Sequence, residues 1–154
     1  MKRLLIIFTL CVFAFSSYGQ IIVNEDGIYT NKDNQPFTGS YVERYSNSQV
    51  KVEINVKEGK LDGKYITYFE NGQINEIRTY HEGMKDNRWE TYNEQGVKIA
   101  EANFNNDKKH GKWLVWDENG TLRYDMQYTQ GERAGTWIIY NEHGEKVSEK
   151  NYDE

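Results

Sequence analysis

The chain has 154 residues, a formal net charge of -5 at pH 7 and a single Cys. An acidic chain with charges of both signs is a poor candidate for binding nucleic acid or anionic lipid, and its length suits one domain. Only 37% of the residues are hydrophobic while 14% are aromatic, which argues against a thick core and favours a thin, sheet-like body.

The N-terminal segment, residues 1–19, has the pattern of a secretory signal peptide. The basic start at Lys2 and Arg3 precedes an apolar run over 4–15, and small residues then indicate cleavage before Gln20. The run is shorter than the roughly 20 residues that a spanning helix needs, so we expect no integral membrane segment in the mature chain. The sequence therefore predicts an exported protein, periplasmic or secreted.

The only cysteine, Cys11, lies inside the apolar run rather than at its end, which argues against lipidation. Removal of the signal peptide would leave a mature chain without cysteine. Because Lys2 and Arg3 are lost with it, the formal charge would change from -5 to -7. Such a chain has no disulfide, no thiolate metal site and no Cys nucleophile.

Residues 20–38 are predicted to form a degenerate lead-in that caps the N-terminal end. Residues 28–30 read as a strand, 31–35 as a turn and 36–38 as the entry to the next element. Pro36 cannot donate a ladder hydrogen bond, which suits an edge. An atypical terminal unit is expected where an open stack of repeats must be closed.

From Gly39 onward the sequence repeats with a period of 24 residues, without insertion or deletion. The units are 39–62, 63–86, 87–110, 111–134 and 135–154, and we number the positions in each unit from 1 upward. The eleven glycines of this region all fall at positions 1, 10 or 21. A fixed period in the range of about 20–50 residues indicates a repeat architecture, and glycines confined to three positions indicate that the same turns recur.

Positions 2–7 and 11–18 are rich in Tyr, Trp, Ile, Val and Thr and are predicted to be strands. Positions 8–10, with Glu at 8 and Gly at 10 in four units, predict a tight hairpin built on a type I turn with a G1 bulge. Positions 19–24 are predicted to form a longer return turn. The sequence therefore predicts an all-β fold, an elongated single-layer antiparallel meander of ten strands on the order of 48 Å long.

The two faces of this sheet are predicted to differ. Position 18 is mostly aromatic, and positions 14 and 16 include several apolar residues. Positions 15 and 17 are mostly acidic or amide residues. The pattern predicts one apolar, aromatic face and one wet face.

Position 3 is aromatic in every unit and position 6 in four of the five, which with the glycines gives the motif Gly-x-Trp/Tyr-x-x-Tyr followed by Glu-x-Gly. This motif resembles the MORN-repeat variant proteins of bacteria, often described as antitoxin-component-like, and covers residues 39–154. The resemblance implies stacked hairpins that act as a scaffold for protein contacts, with lipid binding claimed for some. An antitoxin would be cytoplasmic, which the signal peptide opposes. Unit one lacks the Glu and Gly of positions 8 and 10, and Asn87 and Asp107 occupy glycine positions.

No catalytic residue, metal site or cofactor is predicted. His81, His110 and His143 occupy three different turn positions and are expected to be exposed. The acids at position 15 would lie about 9.6 Å apart in successive repeats, too far for one metal ion. The four Glu residues at position 8 recur in equivalent turns, which favours a structural role such as hydrogen bonding to the turn backbone.

The aromatic positions are the best candidates for function. They either form the core of the sheet or serve as a docking surface, since a single layer has little to bury them against. The candidate binding surface is Tyr65, Trp89, Trp113, Trp116 and Trp137. The sequence favours a non-enzymatic, extracytoplasmic scaffold with a protein partner. Alternatives are a glycan-binding module that uses exposed Tyr and Trp, an antitoxin-like partner of a toxin, and, more weakly, a hydrolase.

Overall fold

A computed structural model describes residues 21–153, and this part of the chain consists of strands and turns without a helix. Accordingly, it contains no helix that is long and apolar enough to cross a membrane. The predicted signal peptide, Cys11 and the predicted cleavage site before Gln20 lie outside the described residues.

Fourteen strands follow one another along the described chain. The N-terminal segment contains β1 (Ile22–Val23) and β2 (Tyr29–Thr30). The repeats contain β3 (Gly39–Arg44), β4 (Val50–Lys57), β5 (Lys60–Tyr68), β6 (Ile74–His81), β7 (Met84–Lys85), β8 (Asn87–Tyr92), β9 (Lys98–Asn105), β10 (Lys108–Lys109), β11 (Gly111–Trp116), β12 (Leu122–Thr129), β13 (Glu132–Tyr140) and β14 (Lys146–Asn151).

The ten long strands of the repeats form one antiparallel sheet in chain order, from β3 at one edge to β14 at the other. The two-residue strands β7 and β10 pair with β6 and β9, and β1 and β2 form a separate ribbon. Each repeat supplies two neighbouring strands, so the sheet grows by one hairpin per repeat. The predicted all-β meander of hairpin repeats is confirmed.

The hairpin within each repeat has the predicted type I turn with a G1 bulge. In the second repeat, the N–H of Gly72 donates to the carbonyl of Phe69, and the N–H of Phe69 donates to the carbonyl of Gln73. Gly72 has a φ of +84°, and Ser48 adopts +70° at the equivalent position of unit one. The turn geometry is therefore kept where the glycine is missing.

Side chains at positions 7 and 9, rather than Glu at position 8, satisfy the backbone of this turn. Asn93 Oδ1 accepts hydrogen bonds from the N–H groups of Gln95 and Val97, and Asp117 and Asn141 do the same in the next two repeats. The residue at position 8 takes part through its backbone carbonyl. For example, Asn71 Nδ2 donates a hydrogen bond to the carbonyl of Glu94 in the next turn. Asn at these positions links successive turns along the sheet edge.

The return turn is shorter than the predicted loop over positions 19–24. His81 pairs with Met84, which leaves a two-residue loop of Glu82 and Gly83 with φ values of +50° and +86°. Two positive φ values in a two-residue loop are the signature of a type I′ hairpin. Positions 22 and 23 are therefore paired with the preceding strand, either as the start of the next long strand, as in β5 and β13, or as the separate short strands β7 and β10.

The return turns are hydrogen bonded to one another in a row along one edge of the sheet. The N–H at position 21 donates to the carbonyl at position 23 of the preceding unit, as in Gly83 to Leu61 at 2.8 Å and Asp107 to Lys85 at 2.9 Å. Asp107 keeps a φ of +65° in place of glycine. These long-range bonds hold a turn whose Glu-Gly and Gln-Gly sequences are not typical of type I′ hairpins.

The strand register assigns positions 3, 5, 14, 16 and 18 to one face, which we call the ladder face, and positions 2, 4, 6, 15 and 17 to the second face. The prediction of one wet face was incomplete. The second face also carries half-buried apolar residues at positions 4 and 15, such as Ile66, Ile77 and Leu114. Both faces therefore carry apolar as well as polar side chains.

The segment of residues 21–38, here called the cap, folds back onto the first repeats. The N–H of Tyr29 donates to the carbonyl of Gly59, and the N–H of Gly59 donates to the carbonyl of Phe37, both at 2.8 Å. Val23 and Tyr29 line one depression on the ladder face together with Tyr41, Val52, Ile54 and Tyr65. The two buried hydrophobic residues of the described chain, Ile54 and Val56, lie in this first repeat.

Candidate binding surface

Eight aromatic rings form a continuous row on the ladder face, here called the ring ladder. Rings from positions 3 and 18 alternate along it, because each ring at position 3 packs between neighbours at position 18. Ring centroids from Tyr80 onward are 4.8 to 5.3 Å apart, with interplanar angles of 51° to 65°. The members in order are Tyr65, Tyr80, Trp89, Phe104, Trp113, Tyr128, Trp137 and Tyr152. The tilted arrangement is one that aromatic pairs favour.

Each tryptophan of the ring ladder is also fixed by a hydrogen bond. The indole N–H groups of Trp89, Trp113 and Trp137 donate to the carbonyls of Thr79, Asn103 and Gln127, each at 2.9 Å. The acceptor is always position 17 of the preceding repeat. The ladder therefore ties successive repeats together, so its rings are structural as well as half-exposed.

The structure brings four of the five predicted surface residues together and separates the fifth. Tyr65, Trp89, Trp113 and Trp137 belong to the ring ladder, whereas Trp116 lies on the second face. There the ammonium of Lys98 lies 5.9 Å from the centroid of the Trp116 ring. Position 6 is three residues after position 3, so strand alternation places it on the opposite face. The three-residue spacing that separates the two positions can be read from the sequence. The prediction grouped them because both positions are aromatic.

A row of cations lies over the ring ladder, a feature that the sequence reasoning missed. Lys109 Nζ is 4.4 Å from the Trp113 centroid and 4.7 Å from that of Tyr128. Lys85 and Arg133 take the same place over the neighbouring ring pairs, at 4.9 to 5.4 Å. All three cations occupy position 23, where the first repeat has Leu61. The sequence signal was the recurrence of a basic residue at one position of three successive units.

The C-terminal end of the ladder face is open, in contrast to its capped N-terminal end. A depression of about 380 Å³ is lined by apolar and aromatic side chains, among them Tyr124, Met126, Trp137 and Ile139. Tyr124 and Ile139 are 43% and 40% exposed. Position for position, Tyr124, Met126 and Trp137 correspond to Val52, Ile54 and Tyr65, which line a depression together with the cap near the first repeat and of which Ile54 is only 3% exposed. The end of the sheet therefore presents uncovered apolar surface.

The histidines do not converge. The side chains of His81 and His143 are 61% and 73% exposed, as expected for turn residues. His110 differs from the expectation, since it is half-buried and its Nδ1 has no hydrogen-bond partner among the described residues. Within residues 21–153, no group of three or more His, Cys, Asp or Glu side chains is arranged to hold a metal ion.

Comparison with known protein families gives a match at two places in the repeat region. The profile of a family described as MORN repeat variant matches residues 61–82 and 109–130, two stretches that start two repeat lengths apart. MORN repeats are generally associated with binding to proteins or membranes and form non-catalytic modules. No curated protein matches the chain.

Proposed function

We propose that the chain is an exported, non-enzymatic scaffold that binds a protein partner on its ladder face. The observation that carries this proposal is the contrast between the two ends of that face. At one end, a short segment of the chain itself lies beside the first repeats and Ile54 is buried, whereas at the other end Tyr124 and Ile139 are 43% and 40% exposed. An apolar surface that stays exposed at one end of a sheet, while the equivalent surface at the other end packs against a segment of the same chain, is what a docking site for polypeptide presents.

The ring geometry favours protein over glycan as the ligand. Sugar stacking needs a flat ring face that is free on one side. In repeats three to five of the ring ladder, each ring leans on its neighbours at 51° to 65°, and cations lie over the ring pairs. An antitoxin role has no support from a feature of the described residues, and export of the chain would oppose it.

Export itself rests on the N-terminal segment, with its basic start, apolar run and small residues before Gln20. Determination of the N-terminus of the protein made in its own cell tests this part. A mature chain that starts at Gln20 is expected, and retention of Met1 would contradict it.

The experiment for the docking surface is affinity capture with the mature chain, residues 20–154, and two exposed-site variants. Tyr124→Asp places a charge in the open depression, whereas Val147→Asp places one at a residue of β14 that is 60% exposed and does not line it. A partner protein should be captured by the wild-type chain and by Val147→Asp, but not by Tyr124→Asp. Capture that is equal for both variants, or absent for the wild-type chain, would contradict the proposal.

A further inference from the structure

The charge on the ladder face is opposite to that of the whole protein. From Trp89 to Tyr152, the strand positions that the register assigns to this face contain no Asp or Glu, although the chain as a whole is acidic. At the edge of this surface, Arg78 lies over Trp89 and is paired with Glu76. The surface carries four further cations, Lys85, Lys109, Arg133 and Lys150. We call these cations, with the rings from Trp89 to Tyr152 beneath them, the cationic strip.

None of the four cations forms an ion pair with a carboxylate in the described part of the chain. The ion pairs of the last three repeats are made by other residues, for example Lys98 with Glu90, Lys112 with Asp125 and Lys146 with Glu149. Lys85, Arg133 and Lys150 are exposed and Lys109 is half-buried. Positive charges without carboxylate partners, above a layer of aromatic rings, favour a negatively charged ligand.

The spacing of the cations limits the shape of that ligand. Lys85, Lys109 and Arg133 occupy position 23 of successive repeats, so two strand spacings, about 9.6 Å, separate neighbours. An extended polyproline II segment has three residues per turn and rises about 3.1 Å per residue, so every third residue returns to the same side after about 9.3 Å. Acidic residues at every third position would therefore meet successive cations.

The cap places acidic and apolar residues beside the first two repeats. Its first turn contains Glu25 and Asp26 between the apolar pairs Ile22–Val23 and Ile28–Tyr29. Asp26, Ile28 and Tyr29 line a depression with Lys60, Leu61 and Met84 of the first two repeats. An acidic and apolar segment thus already lies beside the sheet where the ring ladder begins.

From these observations we infer that the cationic strip binds an extended acidic segment of the partner protein, with carboxylates at every third residue and apolar side chains between them. The carboxylates contact Lys85, Lys109 and Arg133, and the apolar side chains contact the rings and the open depression. This inference rests on the proposed function and specifies the partner's chemistry.

A peptide pair tests the inference with the mature chain. One labelled peptide contains five Glu-Pro-Leu triplets, and the other has the same composition with its five Glu residues clustered at one end. In fluorescence anisotropy we expect the triplet peptide to bind at least about tenfold more tightly, because only its carboxylates match the repeat spacing. Equal binding of the two peptides, or no binding of either, would overturn the inference.

Charge reversal on each face provides the matched control. Lys109→Glu and, separately, Lys85→Glu should weaken binding of the triplet peptide by about tenfold or more, since each replaces attraction with repulsion. Lys64→Glu, on the second face, should leave it unchanged. Wild-type affinity for the triplet peptide in both ladder-face variants would overturn the inference. Binding to vesicles of anionic phospholipid that depends on Lys109 to the same extent would also overturn it. A captured partner that needs Tyr124 but not Lys109 would leave the proposed function standing and remove only this inference.

Discussion

At the scale of single residues, Glu90 shows how a buried charge is accommodated in a thin sheet. Its side chain is 12% exposed and faces Glu101 across the strand pair, so two like charges meet. Lys98 Nζ lies 2.5 Å from Glu90 and 3.1 Å from Glu101 and bridges them. Burial raises the pKa of the Glu90 carboxyl, but the hydrogen bond and charge of Lys98, together with Arg88 and Tyr92, outweigh it and lower the pKa below its ordinary value.

We therefore expect Glu90→Gln to reduce the free energy of unfolding by on the order of 1 kcal/mol at pH 7. Because the folded pKa lies below the unfolded one, the carboxylate stabilises the fold above its ordinary pKa of 4.5 and loses this effect as the pH falls through the folded pKa. Urea unfolding at neutral pH and at about pH 3.5 checks this, since the difference from wild type should shrink at the lower pH. As a control, Glu118→Gln, in an exposed turn, should leave the free energy of unfolding unchanged at both pH values. A stability difference between Glu90→Gln and wild type that does not change with pH would contradict the role of the Glu90 carboxylate.

At the scale of elements, the ring ladder adds side-chain contacts to the backbone pairing between repeats. Trp113 packs between Phe104 and Tyr128 at 5.3 and 5.2 Å, and its indole N–H donates to Asn103 of the preceding repeat. The register contacts between β9 and β11 comprise only two residue pairs, whereas β11 and β12 share six. β10 adds two further pairs with β9 at this junction, and the side-chain packing of Trp113 strengthens it further.

Two substitutions at Trp113 separate the contributions of ring and hydrogen bond. Trp113→Phe keeps an aromatic ring but removes one of the two hydrogen bonds that the Asn103 carbonyl accepts, the other coming from the N–H of His110, and should cost about 1 kcal/mol. Trp113→Ala removes both contacts and should cost about 3 kcal/mol. Chemical denaturation followed by circular dichroism measures both. If the two variants lost the same stability, the ring contacts would contribute nothing.

The positions of the ladder residues could be derived from the sequence, but their surroundings could not. Aromatic residues at positions 3 and 18 of every later unit predict a row of rings, and strand alternation alone excludes Trp116 from it. The placement of Lys85, Lys109 and Arg133 over the rings depends on the type I′ return turn, which lets position 23 pair with position 18 of the same repeat. The local sequences Glu-Gly and Gln-Gly do not predict a type I′ turn. The turn is instead held by backbone hydrogen bonds to the preceding repeat, which the local sequence does not show.

At the scale of the whole molecule, the protein is a one-dimensional stack in which each repeat contacts its sequence neighbours. β3 pairs with β4 alone and β14 with β13 alone within the described residues, so the stack has two ends. The cap covers the ladder face at one end, and β14, exposed at all six residues, forms the other. In such arrays stability is approximately a sum of repeat and neighbour terms.

Deletion of one whole period should therefore preserve the fold. Removal of residues 87–110 joins Asp86 to Gly111 and lets position 3 of the fourth unit, Trp113, pack against Tyr80 in place of Trp89. We expect a folded four-repeat sheet with cooperative unfolding at a lower denaturant midpoint, measured by circular dichroism in urea. Removal of half a period, 87–98, is the control and should abolish folding because it puts the repeats out of phase. A full-period deletion that does not fold would contradict the one-dimensional account.

The sequence by itself determined the repeat period, the meander of paired strands, the G1-bulge hairpins and the alternation that creates two faces. These features depend on local backbone preferences, since glycine positions set the φ values and strand periodicity sets side-chain direction. Only the tertiary structure decided which part of the ladder face is covered, how tight the return turns are and where the cations lie. Those features depend on contacts between residues far apart in the chain, such as Tyr29 with Gly59 and Asp107 with Lys85, which no local pattern encodes.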